Sequence, residues 1–468
     1  MNLAVIVRKR RPFGPMIQVG CRLWNLSLVS VMVLTVCNIL LTVRLLHSEC
    51  PSSPSVPRPP PAPVHVEPLA PCPLSPPCNS STSPFLAVDP RLGRWDATRL
   101  FKMFDSVLVG DLFTELSLKF KVTIATQSSL EKLHSLVQVS HHWAGPISAA
   151  LYAAGDHEYR LLQGYVNFLR RCYKPVKERV SFHLIFPKDK LPKSQVTAER
   201  SEHLDCLQPE GALNQLLRKR PTDVVRWRQR NPYPQNHMRN LARKNCQTLY
   251  VFLTDIDIIP SAHLAESLDS FLSTAHCTGN CAYVIPTYEL DERVRFPRNK
   301  SDLIRLANKA LAQPFHHKVF IYNQFATNFS RWEDDLNDQV HVSHNVTNFE
   351  FLYEPFYVAQ DTVPSHDERF LGYGFTRNTQ VYEMYVAGYQ FQVLSPVFTC
   401  HWGLQTRKGR PSWREKQNSS NRRKFDVFKR EVFARYHKDP LHMVQQSPDN
   451  PSKKVIPLRI VNPAQNKQ

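Results

Sequence analysis

Leu249-Tyr-Val-Phe-Leu-Thr-Asp255-Ile-Asp257-Ile-Ile-Pro-Ser261 is the stretch on which the reading of this chain turns. A continuous apolar run of this kind reads as a strand buried on both faces, as in a parallel sheet. It ends in two carboxylates one residue apart, and Pro260 is expected to stop it. Ligands of open α/β sheets bind where the strands finish. Side chains alternate along an extended chain, so Asp255 and Asp257 are expected on one side. Two acids so placed suit a divalent cation and the phosphates it bridges. The plainer alternative is a pair of aspartates capping the next helix.

The neighbouring segments repeat the pattern. Residues 121–126, 146–152 and 180–186 read as strands. Ser128 or Ser129 is expected to cap a helix running through Trp143, and a second helix covers 156–173. The helix Tyr233-Pro-Gln-Asn-His-Met-Arg-Asn-Leu-Ala-Arg243 leads into the acidic strand. This alternation predicts α/β architecture with parallel pairing. After Pro260, residues 262–273 read as a helix and 281–286 as a strand, followed by Tyr288-Glu289-Leu290. The polar segment 291–350 is expected to build the acceptor side.

At 468 residues the chain is long enough for a large core or two lobes, and 42% hydrophobic with 21% charged residues is ordinary for a globular protein. The formal net charge of +19 points to anionic partners. Nucleic acid fits poorly with the membrane segment described next; a sugar nucleotide, acidic glycans or lipid headgroups fit better. The 11 cysteines lack the short paired spacings of a zinc site, and Cys277-x-x-x-Cys281 reads as a loop disulfide.

Residues 1–22 are basic and 23–43 are mainly apolar, about the length a helix needs to span a bilayer. Basic residues ahead of the span keep the amino terminus cytosolic, which predicts a single-pass type II membrane protein with its bulk luminal. Residues 44–94 are rich in Pro and Ser and read as an extended stem. Its Cys50, Cys72 and Cys78 can cross-link two chains or pair locally. Residues 95–440 form the expected luminal domain and 441–468 a tail. Asn79, Asn299, Asn328, Asn345 and Asn418 open glycosylation sequons.

Two further clusters carry chemistry. Tyr353-Glu354-Pro-Phe-Tyr357-Val-Ala359 precedes Ser365-His-Asp367-Glu368-Arg369-Phe370-Leu-Gly372-Tyr-Gly374-Phe. Carboxylates beside aromatic rings suit a sugar pocket, and a loop held by an Arg–Asp pair with turn glycines is the plainer reading. Phe391-Gln-Val-Leu-Ser-Pro-Val-Phe-Thr-Cys400-His401-Trp402-Gly403 reads as a strand ending in a candidate metal ligand, with a glycine that admits a phosphate. Arg407, Lys408 and Arg410 follow, either facing a diphosphate or facing solvent.

The acidic strand, the helix before it, Glu354-Pro-Phe-Tyr-Val-Ala, Asp367-Glu-Arg-Phe and His401-x-Gly403, in this order over about 120–436, together resemble glycosyltransferase family 49. The resemblance implies a GT-A fold: a Rossmann-like nucleotide-binding half with a mixed central sheet. It implies an inverting, Mn²⁺-dependent transfer of glucuronate from UDP-glucuronate to a xylose-terminated glycan, such as the O-mannosyl glycan of dystroglycan, in the Golgi. It assigns Asp255, Asp257 and His401 to the metal, with Asp255 alternatively on the ribose. Substrate contacts fall to Thr126, Arg239, Glu354, Tyr357, Glu368, Arg369 and Gly403. Inversion requires a base for the acceptor hydroxyl. Asp367 is the first choice, with Glu368, Asp361 and Glu354 as rivals. Arg293, Arg295 or Lys408 is expected to read the donor carboxylate. A UDP-GlcNAc-dependent β-1,3 transferase and a catalytically silent glycan-binding or assembly protein are the competing readings. A homodimer or a complex with other transferases is left open.

Overall fold

The computed structural model describes residues 85–193, 204–406 and 412–444, together with Met32, Thr35 and Val36. The chain divides between Asn79 and Ser80, and the second unit is the one described here. Among the described residues no helix is long and apolar enough to cross a membrane. Apart from those three residues, the apolar stretch 23–43 lies outside them, as do the stem to residue 84, Asn79, Arg407, Lys408 and Arg410. The stem expected to run to residue 94 gives way earlier. Leu86 and Val88 are buried, and the Leu86 carbonyl accepts from Tyr159 and Gln163.

The strands, in chain order, are β1 (Arg94–Trp95), β2 (Phe101–Leu108), β3 (Val122–Ser129), β4 (Ile147–Tyr152), β5 (Val180–Pro187), β6 (Tyr250–Leu253) and β7 (Ile259–Pro260). They continue with β8 (Cys281–Val284), β9 (Thr287–Leu290), β10 (Ala312–Pro314), β11 (His341–Asn345), β12 (Tyr357–Gln360), β13 (Gln390–Ser395) and β14 (Thr399–Trp402). Ten of them form one mixed sheet in the order β1-β2-β5-β4-β3-β6-β12-β8-β13-β11. The remaining four form a second sheet, β10-β9-β14-β7.

The expected parallel block is β5-β4-β3-β6. Its strands are buried on both faces, and the alternation of side chains divides them between two cores. Ile124, Ala149, Leu151, Leu184 and Phe186 enter one, packed on the helix Gly155–Cys172. Ala125, Ala150, Tyr152 and Ile185 enter the other, with Met238, Leu241 and Ala242 of the helix Gln235–Lys244. No side-chain cap forms at Ser129. The chain makes a short 3-10 turn at Leu130–Lys132 and only then the helix Ser135–His142.

The quoted stretch is not one strand. β6 ends at Leu253, Thr254 N donates to Ala125 O, and a turn closes from Ile258 N to Asp255 O. The chain then leaves the large sheet and β7 pairs with β14. The segment 391–403 breaks likewise: β13 lies in the large sheet, and after the cis Ser395–Pro396 bond β14 joins the small one. Both segments change sheets and then pair with each other, β7 against β14.

β12 is antiparallel between β6 and β8. Tyr357, expected on substrate, is therefore a core residue, 1% exposed, with its hydroxyl donating to Gln380 Oε1 at 2.8 Å. The loop Cys277–Cys281 disulfide is present, and a second links Cys172 to Cys206.

Candidate functional site

The turn after β6 sets the two aspartates to different partners. β14 runs antiparallel to β7, with Thr399 opposite Pro260 and Cys400 opposite Ile259. One residue further, this register carries His401 to the acidic turn, and its Nε2 lies 3.3 Å from Asp257 Oδ2. Lys132 Nζ reaches the same oxygen at 2.5 Å. Burial pushes the Asp257 carboxyl up, but the His401 hydrogen bond and the Lys132 charge overcome it and hold the group well below the usual carboxylate range. His401 Nδ1 is buried and has no hydrogen-bond partner.

Asp255 faces two arginines. Arg377 Nη2 lies 2.8 Å and Arg239 Nη2 3.4 Å from its Oδ1. Against burial and the charge of Asp257, these guanidiniums lower its pKa. The expectation of one shared side thus fails in its reasoning, since the backbone turns at 255–258, although the carboxylates still feel each other. Arg377 stands at the start of the helix Arg377–Ala387 with its guanidinium 4.3 Å from the Phe356 ring centre. Both arginines also act on Glu354, whose pKa burial raises against their pull. Asn323 Nδ2 is 3.4 Å from Glu354 Oε2 and 2.8 Å from His316 Nδ1. Burial lowers His316 to about 4.

Several polar atoms here lack partners: Thr126 Oγ1, Asn323 Oδ1, Asn378 Oδ1 and His401 Nδ1 are all buried and unbonded. Such atoms are rare in folded proteins and point to a polar ligand. Asp257, His401, Lys132, Trp402 and Gln138 line a cleft of about 780 Å³. Gly403, expected near phosphate, lies just beyond it at φ +89°, its N–H donating to Leu290 O. Asp257 and His401 suit a divalent cation: a carboxylate and an imidazole, one unpartnered nitrogen, and a lysine already drawn to the negative charge. Among the described residues no group of three or more His, Cys, Asp or Glu could hold a metal. A bound cation would complete its shell with diphosphate oxygens and water.

Other expected residues are engaged elsewhere. Asp367 accepts from Arg369 Nε at 2.9 Å, and Arg369 is bound in turn by Glu431 of the helix Ser412–Tyr436. That is the Arg–Asp loop pair. Glu368 accepts from Asn240 at 3.0 Å, and Asp361 is paired with Arg243. Arg293 is exposed and closes on Asp291 at 2.6 Å, and Arg295 is exposed. Lys132, Arg377, His316 and Asn323 were missed. Each lies among ordinary polar neighbours in its own segment, with no periodicity or spacing to mark it.

Known proteins resemble the chain to different depths. Human beta-1,4-glucuronyltransferase 1 is 30% identical over 323 residues, covering 68% of this chain and 77% of that protein. Mouse xylosyl- and glucuronyltransferase LARGE1 is 26% identical over 285 residues, 60% of this chain and 31% of its own. Among solved structures, S. aureus TarS 1-349 in complex with UDP-GlcNAc is 10% identical, with a TM-score of 0.35 and 69% of each chain covered. The family described as "Glycosyl-transferase for dystroglycan", glycosyltransferase family 49, matches residues 121–437, and this chain belongs to it.

Proposed function

We propose that the protein is an inverting, metal-dependent glycosyltransferase of GT-A type that moves glucuronate from UDP-glucuronate to a xylose-terminated glycan. The observation that carries this reading is His401 delivered to Asp257 at the end of a core strand, beside arginines and unpartnered buried polar atoms. The names of the relatives supply the sugar. The basic tail, the apolar stretch and the cysteine usage support a Golgi location, with the amino terminus cytosolic and the catalytic unit luminal.

Asp257 and His401 would hold Mn²⁺, which as a Lewis acid would offset charge on the departing diphosphate. Arg239 and Arg377 supply fixed positive charge on the other side of the acidic turn, suited to the diphosphate or the donor carboxylate. Asp255 orients both guanidiniums. Thr126 and Asn378 offer their unpartnered oxygens to sugar or ribose hydroxyls. A base must take the acceptor hydroxyl proton. Asp367 is spent on Arg369, whereas Glu354 lies among these arginines with a raised pKa, closer to the operating range. Glu354 is therefore favoured over Asp367.

The test is a screen of UDP-glucuronate, UDP-xylose and UDP-GlcNAc against β-xylosides, with and without Mn²⁺. Turnover with UDP-glucuronate alone, lost on chelation, is expected; preference for UDP-GlcNAc would replace the donor. Glu354→Gln should lower kcat by about 10²-fold or more, a typical loss of a general base, and Asp367→Asn by much less. The reverse order would return the base to Asp367.

A further inference from the structure

A second cleft, of about 350 Å³, lies across the turn Leu130–Lys132 from the first: Glu131 lines it, as Lys132 lines the other. Its outer wall comes from Tyr373 and from Trp413 and Arg414 near the start of the helix Ser412–Tyr436. Trp413 is 44% exposed, and the Arg414 guanidinium lies 4.9 Å from the Tyr373 ring centre and 5.6 Å from that of Trp413. Arg414 Nε is buried without a hydrogen-bond partner. Gly372, at φ +73°, lets the loop press on this helix: a Cβ there would come 2.3 Å from Gln417 Oε1, the atom that accepts from Tyr373 N at 2.8 Å. Tyr373 is thereby fixed in the wall.

The inner wall holds two arginines and the carboxylates they share. Arg220 gives Nη1 to Glu131 at 2.6 Å and lies 3.4 Å from Glu158 through Nε. Its Nη2 is buried without a partner, on a side chain only 8% exposed. Arg228 is shared between the same two carboxylates. Two guanidiniums therefore meet two acids on this wall, and Arg414, beside the aromatic faces of the other wall, has no ion pair with either acid. Aromatic rings take the C–H face of a pyranose, and a guanidinium fork takes an acid group.

We propose that this cleft is an acceptor-side subsite for a glycan that carries an acid group, carboxylate or phosphate, on a pyranose chain. This rests on the donor occupying the neighbouring Asp257 cleft, which leaves the acceptor to enter along a different wall. The exposed Trp413 at the rim suits a sugar chain that continues into solvent.

The full-length protein in detergent is titrated with three xylo-oligosaccharides of equal length: neutral, glucuronate-bearing and phosphate-bearing. Both acidic forms should bind about tenfold tighter than the neutral one, as one charge-assisted contact allows. Arg414→Gln should erase that preference, and Trp413→Ala should weaken all three about tenfold through lost ring contact. Both variants should keep their circular dichroism and bind UDP with Mn²⁺ within about twofold of the parent, because a remote contact adds independently. Equal affinity for neutral and acidic glycans, or unaltered glycan binding in both variants, overturns the proposal. So does a loss of UDP affinity in them, which would make the cleft a nucleotide subsite. Asp257→Asn should weaken UDP binding by about 10²-fold while glycan affinity persists. If the parent itself binds no UDP, the donor reading fails while the glycan titration still judges this cleft.

Discussion

Asp255 and Asp257 are two positions apart and serve different ends: one aligns a pair of arginines, the other meets an imidazole. Asp257→Asn removes the charge that His401 and a cation share, and calorimetry with UDP and Mn²⁺ should find affinity reduced by about 10²-fold, a loss of the order seen for disrupted metal shells. Arg377→Lys keeps the charge but loses the planar fork and the stacking on Phe356. The KM for UDP-sugar should then rise by about tenfold. Tyr357 gives the opposite expectation. Its hydroxyl is satisfied inside the core, so Tyr357→Phe should lower stability by about 1 kcal/mol in denaturant titration and leave kcat unchanged. A fall in kcat with unaltered stability would place Tyr357 back on substrate.

Strands β2, β4 and β5 and the helix Gln235–Lys244 are joined by one polar chain. Ser106 N donates to His183 Nδ1, His183 Nε2 donates to Ser148 Oγ, and Ser148 Oγ donates to Ala242 O. Nδ1 is an acceptor in this arrangement, so the imidazole is neutral. Burial lowers its pKa to about 3. The group binds a proton more readily when unfolded. Its contribution is complete above the unfolded pKa of about 6.5 and is lost progressively as pH falls toward about 3, at about 1.4 kcal/mol per unit. Denaturation at stepped pH should find that slope in the parent and lose it in His183→Gln. At the level of elements the parallel block was legible, because two-sided burial leaves an apolar run that cannot be mistaken for an exposed edge. The breaks at 254–258 and 396–398 were not, since each apolar run continues through its change of sheet.

The helix Ser412–Tyr436 closes the molecule over the loop that carries Asp367. Phe425, Phe428 and Val432 are buried against Phe370, Tyr382 and Val386, and Arg369 is bound to Glu431. Phe428→Ala should destabilise by about 3–5 kcal/mol, the range for emptying a buried aromatic site, and lower the melting temperature. The same helix bears on glycosylation. Asn299, Asn328 and Asn345 are exposed, while Asn418 is half-buried, its Oδ1 only 2.2 Å from where a Cβ on Gly374 would stand. Mass mapping after secretory expression should find glycans at the first three and an unmodified Asn418. Full occupancy at Asn418 would require the helix to lift from Gly374.

The order of apolar runs, the acids that end one of them, the late histidine and the basic amino-terminal segment are local properties. They were enough to indicate an α/β fold with a ligand site at a strand end, because hydrophobic period and strand-end chemistry act over a few residues; the family followed from the resemblance of the motif blocks. The assignment of individual side chains was of another kind. Whether Asp367 is free or bound by Arg369, whether Tyr357 faces sugar or core, and that Lys132 and Arg377 flank the acidic turn depend on strand order and on register across two sheets. Those contacts join residues far apart in the chain, and their free energy exists only once the elements have packed.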